Sequence, residues 1–344
     1  MKQHDINTCD KSRRIQRGND TCGDKRVKAL VLTGFGLNCD METAYAFELA
    51  GAKADRVHIN SLISGKVDLN DFHILAFGGG FSWGDDHGAG VIQSLKLKNH
   101  IGEKIISFVN QGKLVIGICN GFQTLVNLGL LPGIDRDYTT RSVALTWNDC
   151  GNFRNQWVDM IVNPDSPCVF TKGLVMQEMV TQTSYSQKPY KLELPVRHAQ
   201  GKFVADPSVV EKLIANNQVV LRYATFKNKK SVINAKANAD MVNINSEIEP
   251  AMQRFPMNPN GSVYDIAGIC DSSGHIFGLM PHPEAYNHYT NHPDWTIKRE
   301  KIKRVLHKSD SNESILLNEA SENRSVTPGI QIFINGVNYM ASTI

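Results

Sequence analysis

The sequence predicts an α/β protein built on an open, mostly parallel sheet flanked by helices. Two observations carry this. Over the first 132 residues, short apolar runs alternate with longer helical stretches. The runs are also near-continuously apolar, as in strands covered on both faces. At 344 residues and 41% hydrophobic, the chain can bury a sizeable core.

Each element has its own signal. Residues 1–26 are polar, lack period, and read as a tail. VKALVLTGFG, from Val27, reads as a buried strand ending in a glycine turn. METAYAFELAGA follows as a helix, with Asn38 or Asp40 as its cap and Gly51 as its stop. ADRVHINSL and DFHILAFGGG read as the second and third strands. VIQSLKLKNHIGEKIISFVNQG is helical and ends at Gly112. KLVIGI is the fourth strand, and NGFQTLVNLGLL opens the next helix. After Pro132 the pattern changes: WVDMIVN, QVVLRYATF, DIAGICD and HIFGLM are strand-like, with few long helices between them. The expected organisation is one domain over residues 27–305, with a polar insertion at about 228–252 and a C-terminal extension over 306–344. Within that extension IQIFINGV reads as a last strand.

Composition excludes several function classes. A net charge of +3 is too slight to argue for nucleic acid, and no basic stripe interleaves with aromatics. No apolar run reaches the length of about 18 residues that a membrane helix needs. The N-terminus lacks the apolar core of a signal peptide, so a cytoplasmic protein is expected. Seven scattered cysteines show no Cys-x-x-Cys and no Cys/His cluster at zinc spacing. Free thiols and no metal site are the expectation.

One cysteine stands apart. GICNGFQ, residues 117–123, joins an apolar strand to a helix through Gly-x-Cys-x-Gly. That is a nucleophile elbow with cysteine at its tip. Gly117 and Gly121 remove side chains that would crowd the turn. The helix start at Asn120 turns its positive end toward Cys119 and favours the thiolate. The Asn120 N–H is the natural first donor to an oxyanion. The plain alternative is a buried structural cysteine. A base comes from PHPE, residues 281–284, after HIFGLM. Two prolines hold this stretch extended, so His282 and Glu284 face one site. His282 takes and returns the thiol proton, and Glu284 orients it. FGGGFSWGD, residues 77–85, lacks the Gly-Lys-Ser/Thr of a phosphate loop. Its Gly79 and Gly80 let main chain approach a substrate and supply a second oxyanion donor.

Together GICNGFQ, GGGFSWGD and GLMPHPE resemble the class I (triad) glutamine amidotransferases. LNCDMET, the GAG of residues 88–90, NLGLLPG, LPVRHAQG and NPNGSVYDIAGI fit the same family, and the asparagine after the cysteine, FSWGD and NPNGS narrow the resemblance to the glutaminase subunit of phosphoribosylformylglycinamidine synthase, over about Val27 to Trp295. The resemblance implies a flavodoxin-like sheet in one domain. It implies Cys119 as nucleophile, His282 as base and acid, and Glu284 as orienting carboxylate. Gly79, Gly80 and Asn120 match the oxyanion hole, and Gln123 a contact to bound L-glutamine. His198, in VRHAQG, reads either as lining that site or its mouth or as a structural histidine. The implied partner is a formylglycinamide ribonucleotide synthetase that carries ATP and magnesium, with a small third subunit as a further candidate. This chain itself needs no cofactor. Four positions depart from the family pattern: Ala199 and Gln200 in His198-Ala199-Gln200-Gly201, where the family has His-Gly-Glu-Gly, and Ala285 and Gln156, each where the family has an arginine.

Rival readings are a glutaminase for another synthetase, a different cysteine hydrolase on the same fold, and a non-catalytic subunit. The first shares any one of these motifs, and the asparagine after the cysteine, FSWGD and NPNGS are what point away from it. The second places its histidine close behind the cysteine, where this chain has Gly121 and Phe122. The third would have lost a triad residue. GFGLNC, residues 34–39, mimics a dinucleotide loop, but Cys39 stands where the third glycine belongs. Cys39 lacks a glycine elbow and reads as a buried thiol.

Overall fold

A computed structural model describes residues 26–174, 190–228, 246–306 and 326–344. Its first half follows the alternation read from the sequence: β1 (Lys28–Thr33), α1 (Asp40–Leu49), β2 (Lys53–His58), α2 (Ile59–Ile63), β3 (Ile74–Phe77), α3 (Val91–Asn110), β4 (Leu114–Ile118) and α4 (Asn120–Leu128). The second half is β5 (Val143–Thr146), β6 (Arg154–Val162), β7 (Tyr190–His198), β8 (Lys202–Ala205), α5 (Pro207–Ala215), β9 (Val219–Asn228), β10 (Ser246–Pro250), β11 (Ile266–Cys270), β12 (Ile276–Leu279), α6 (Trp295–Leu306) and α7 (Pro328–Thr343).

Ten strands form one sheet in the order β2-β1-β3-β4-β12-β11-β9-β6-β7, with β10 beside β9. From β2 to β12 the neighbours run parallel. From β12 to β7 they run antiparallel. The parallel strands β3, β4 and β12 are wholly buried, which their unbroken apolar runs required. β5 and β8 form a separate antiparallel pair.

Several elements differ from the sequence reading. Neither Asn38 nor Asp40 caps α1: Cys39 is the cap residue without a side-chain bond, and Asp40 opens the helix, paired with Arg56 at 2.8 Å. ADRVHINSL is strand only to His58, whose ring accepts the Asn60 N–H and starts α2. Within the stretch read as an insertion, Ser246–Pro250 is a strand on β9, and residues 229–245 lie outside the described residues. Residues 1–25 and 307–325 lie outside them as well.

The last piece, IQIFINGV, is not a strand but the core of α7. Thr327 caps it through its hydroxyl and Pro328 opens it. Ile330, Phe333, Val337 and Met340 repeat at helical spacing and are buried. Phe333 meets Phe47 edge-on at 4.9 Å between centroids. The helix start also braces the turn after β12. Thr327 Oγ1 donates to the Tyr286 carbonyl, and a Cβ on Gly329 would lie 2.3 Å from the Pro283 carbonyl oxygen.

Candidate active site

Three adjacent parallel strands, β3, β4 and β12, release their chains at the same sheet edge. Register pairs Phe77 with Gly117 and Gly117 with Gly278. The Gly78–Gly80 run, Cys119 and the Pro281–Glu284 turn therefore leave side by side, the usual place for a site in an open α/β sheet.

Cys119 stands between β4 and α4 with φ +54° and ψ −107°, a strained conformation for a residue with a side chain. Its N–H donates to the Leu279 carbonyl at 2.8 Å, which fixes the elbow to β12. The two flanking glycines serve close approach rather than unusual torsion. A Cβ on Gly117 would sit 2.6 Å from Leu125, and one on Gly121 only 2.0 Å from the Phe77 carbonyl oxygen. The thiol is 5% exposed and lies 3.6 Å from the Arg197 carbonyl.

His282 and Glu284 do come together, at 2.6 Å between Nδ1 and Oε1, both buried. Their local structure is not extended chain: Pro283 opens a 3₁₀ turn over Pro283–Ala285, which folds Glu284 back onto the ring. Burial alone would lower the His282 pKa. The Glu284 carboxylate and the Cys119 thiol outweigh it and hold the ring well above its ordinary value. His282 Nε2 and Glu284 Oε2 are buried with no hydrogen-bond partner. The Cys119 side chain faces the same ring.

Gly79 lies directly against the imidazole: a Cβ there would be 2.7 Å from His282 Cε1. Gly80, at φ +147°, forms an isolated antiparallel bridge with Leu37. The flanking bonds run from Phe81 N to Gly36 O and from Asn38 N to Gly79 O, so the Gly80 N–H turns away from Leu37.

The Asn120 side chain ties this loop to α4. Its Nδ2 donates to Asp85 Oδ1 at 2.8 Å and to Gln123 Oε1 at 3.2 Å, and its Oδ1 accepts the Ser82 N–H at 3.4 Å. Gln123 Nε2 donates in turn to the Gln200 carbonyl. Asp85 escaped the sequence reading because its only signal was a place in a glycine-rich loop. Burial raises its pKa to about 6, against the lowering effect of the bonds from Asn120 and the Gly90 N–H. Ionised Asp85 accepts from Asn120; protonation below about pH 6 weakens that bond. The activity of this site in the wild type is therefore expected to fall along a limb centred near pH 6, and Asp85→Asn, which still offers an amide oxygen, to flatten it. A pH–rate profile of both proteins checks this, and an unchanged limb in Asp85→Asn would contradict it.

His198 is buried and neutral. Burial, then the charge on His282, push its pKa down to about 3. Its Nδ1 meets Asn148 Oδ1 at 3.1 Å, and a Cβ on Gly201 would collide with the ring. Asn148, also missed in the sequence, accepts the Gly201 N–H as well and donates to the His198 carbonyl. The NPNGS motif stands behind this turn. Asn260 Nδ2 donates to the Gly201 carbonyl at 2.8 Å, and Ser262 Oγ accepts the Phe203 N–H at 2.9 Å. Gln156 accepts from Arg154 and donates to the Pro256 carbonyl at 2.8 Å.

One grouping was invisible to residue spacing: Cys39 Sγ, a His282 ring nitrogen and a Glu284 carboxylate oxygen lie within 4.8 Å of one another. The described cysteines are free thiols, with Cys168 and Cys270 buried. Among the described residues no helix is long and apolar enough to cross a membrane.

Residues 26–340 match the model of the CobB/CobQ-like glutamine amidotransferase domain family. Phosphoribosylformylglycinamidine synthase subunit PurQ of Methanococcus maripaludis strain C7 is 39% identical over 312 residues, 91% of this chain and 97% of the relative. The PurQ subunit of Dehalococcoides mccartyi is 43% identical over 270 residues, 78% of this chain and 89% of the relative. A chain of the PurLQS structure from Thermotoga maritima superposes with a TM-score of 0.56 at 25% identity, covering 91% of this chain and 99% of that one.

Proposed function

The chain belongs to the class I glutamine amidotransferases, in the family of the PurQ subunits, and from that premise we propose that it is the glutaminase subunit of phosphoribosylformylglycinamidine synthase. It hydrolyses L-glutamine and passes the ammonia to a synthetase partner, which uses ATP to make formylglycinamidine ribonucleotide. The reaction belongs to purine biosynthesis, and the free thiols among the described cysteines support a reducing, cytoplasmic setting.

The observation that carries the reading is the meeting, at three neighbouring strand ends, of a strained cysteine, a buried His–Glu pair and a glycine loop. In this reading His282 takes the Cys119 proton and the sulfur attacks the side-chain amide carbon of glutamine. Charge develops on the amide oxygen, and the N–H groups of Gly80, beside Gly79, and of Asn120 receive it. His282 returns the proton to the departing nitrogen, which leaves as ammonia, and a glutamyl thioester remains. Water then attacks the thioester while His282 takes its proton; the thiol is restored and glutamate leaves. Glu284 holds the ring and balances its charge throughout. Gln123, fixed between Asn120 and Gln200, contacts the bound glutamine, and His198 contributes its unpartnered Nε2 at the pocket. A neutral His198 carries no proton in the cycle.

Ammonia escapes to water unless it is handed on, so hydrolysis is expected to be weak in the isolated chain. Glutamate release is to be measured with and without the synthetase, its ATP and formylglycinamide ribonucleotide. The expected result is a rise of about tenfold or more in the complex. Release that ignores this synthetase would move the protein to another synthetase.

A further inference from the structure

Cys39 takes no part in the proposed hydrolysis, yet its thiol stands at the His282–Glu284 pair. It does so because the Cys39 N–H donates to the Gly79 carbonyl at 3.2 Å, which pins the start of α1 to the glycine loop. Gly79 leaves the space between thiol and ring open: its missing Cβ would lie 2.7 Å from His282 Cε1 and 3.2 Å from Cys39 Sγ. Sulfur, nitrogen and carboxylate oxygen already lie within 4.8 Å of one another. Donors around a tetrahedral zinc ion stand about 3.5 Å apart, so small side-chain movements close the set. Two buried polar atoms of the group, His282 Nε2 and Glu284 Oε2, have no hydrogen-bond partner.

We propose that Cys39, His282 and Glu284 form a binding site for a thiophilic divalent cation such as zinc, and that occupation switches the glutaminase off. The donor set suits the ion. A thiolate and a carboxylate balance its two charges, the imidazole binds neutral, and water completes four ligands. Binding displaces the thiol proton of Cys39, while the ring keeps its single proton on the nitrogen the ion leaves free, so affinity rises with pH. The ion silences the enzyme by taking the imidazole away from Cys119. Only this last step rests on the triad reading; the site itself does not.

Cobalt(II) is the probe for the site, because a cobalt–thiolate bond absorbs in the near ultraviolet. The full-length chain is titrated with cobalt as wild type, Cys39→Ser and Cys119→Ala. The wild type and Cys119→Ala should both show the charge-transfer band, and Cys39→Ser should lose it. In parallel, the zinc concentration that halves glutaminase activity should rise at least tenfold in Cys39→Ser, whose activity without metal stays near wild type. A band that survives Cys39→Ser, or that vanishes in Cys119→Ala, overturns the assignment. So does a zinc response unaltered by Cys39→Ser. A Cys39-dependent band in a chain that hydrolyses no glutamine would sink the triad reading and leave the metal site standing.

Discussion

Cys119→Ser in the assembled enzyme is expected to lower glutamine-dependent synthesis by about 10⁴-fold or more, the scale at which a nucleophile acting in a unit with its base is lost. Synthesis from added ammonium should stay within about twofold of wild type, because the substitution touches only the step that makes ammonia. Serine is nearly isosteric, and the elbow is held by main chain: the residue 119 N–H bonds Leu279, and the strained torsion is imposed by β4 and α4. The change is therefore chemical. An alcohol at neutral pH is a far poorer nucleophile than a thiol, and the raised basicity of His282 does not bridge that gap. Parallel assays with glutamine and with ammonium separate the cases. Loss of both activities would make Cys119 a structural residue and end the amidotransferase mechanism given above. Retention of both would do the same from the other side.

How much of this could be read from residues alone depends on distance along the chain. The elbow, the His–Glu pair and the glycine loop were each legible because every one is a short motif whose chemistry sits within a few residues. The parallel half of the sheet was legible from its unbroken apolar strands. What was not legible had two causes. Some contacts join distant segments: Cys39 reaches His282, Asp85 reaches Asn120, and Asn148 holds Gly201. No spacing rule brings those pairs together. Elsewhere local signals competed. IQIFINGV has a strand's composition, yet the Thr327 cap, Pro328 and the 330, 333, 337, 340 repeat favour a helix, and packing on Phe47 and Phe170 rewards it. PHPE gave the right partners through the wrong geometry, since Pro283 served a 3₁₀ turn instead of an extended run.

Gly121→Ala is the second large effect, and it tests the fold beneath the chemistry. The added methyl would lie 2.0 Å from the Phe77 carbonyl oxygen and 2.6 Å from its carbon. Both belong to the backbone of β3, which is hydrogen-bonded on one side to β1 and on the other to β4, so neither can yield cheaply. The start of α4 must move instead, and it carries Asn120, whose side chain holds Ser82 and Asp85 of the glycine loop. Overpacking of a core costs about 1–3 kcal/mol where side chains can adjust. Here main chain meets main chain, and a loss of about 3 kcal/mol or more is expected. Urea unfolding should show a lower midpoint with an unchanged slope, and the folded fraction should hydrolyse glutamine about a hundredfold more slowly. Gly102→Ala is the matching control: that glycine lies inside α3 with its nearest neighbour atom at 3.8 Å. Alanine there should be neutral or stabilise by up to about 1 kcal/mol, because it only removes unfolded-state freedom. If Gly121→Ala unfolds at the same midpoint as Gly102→Ala, the close seating of α4 on β3 is wrong, and with it the account of why glycine follows the nucleophile by two residues.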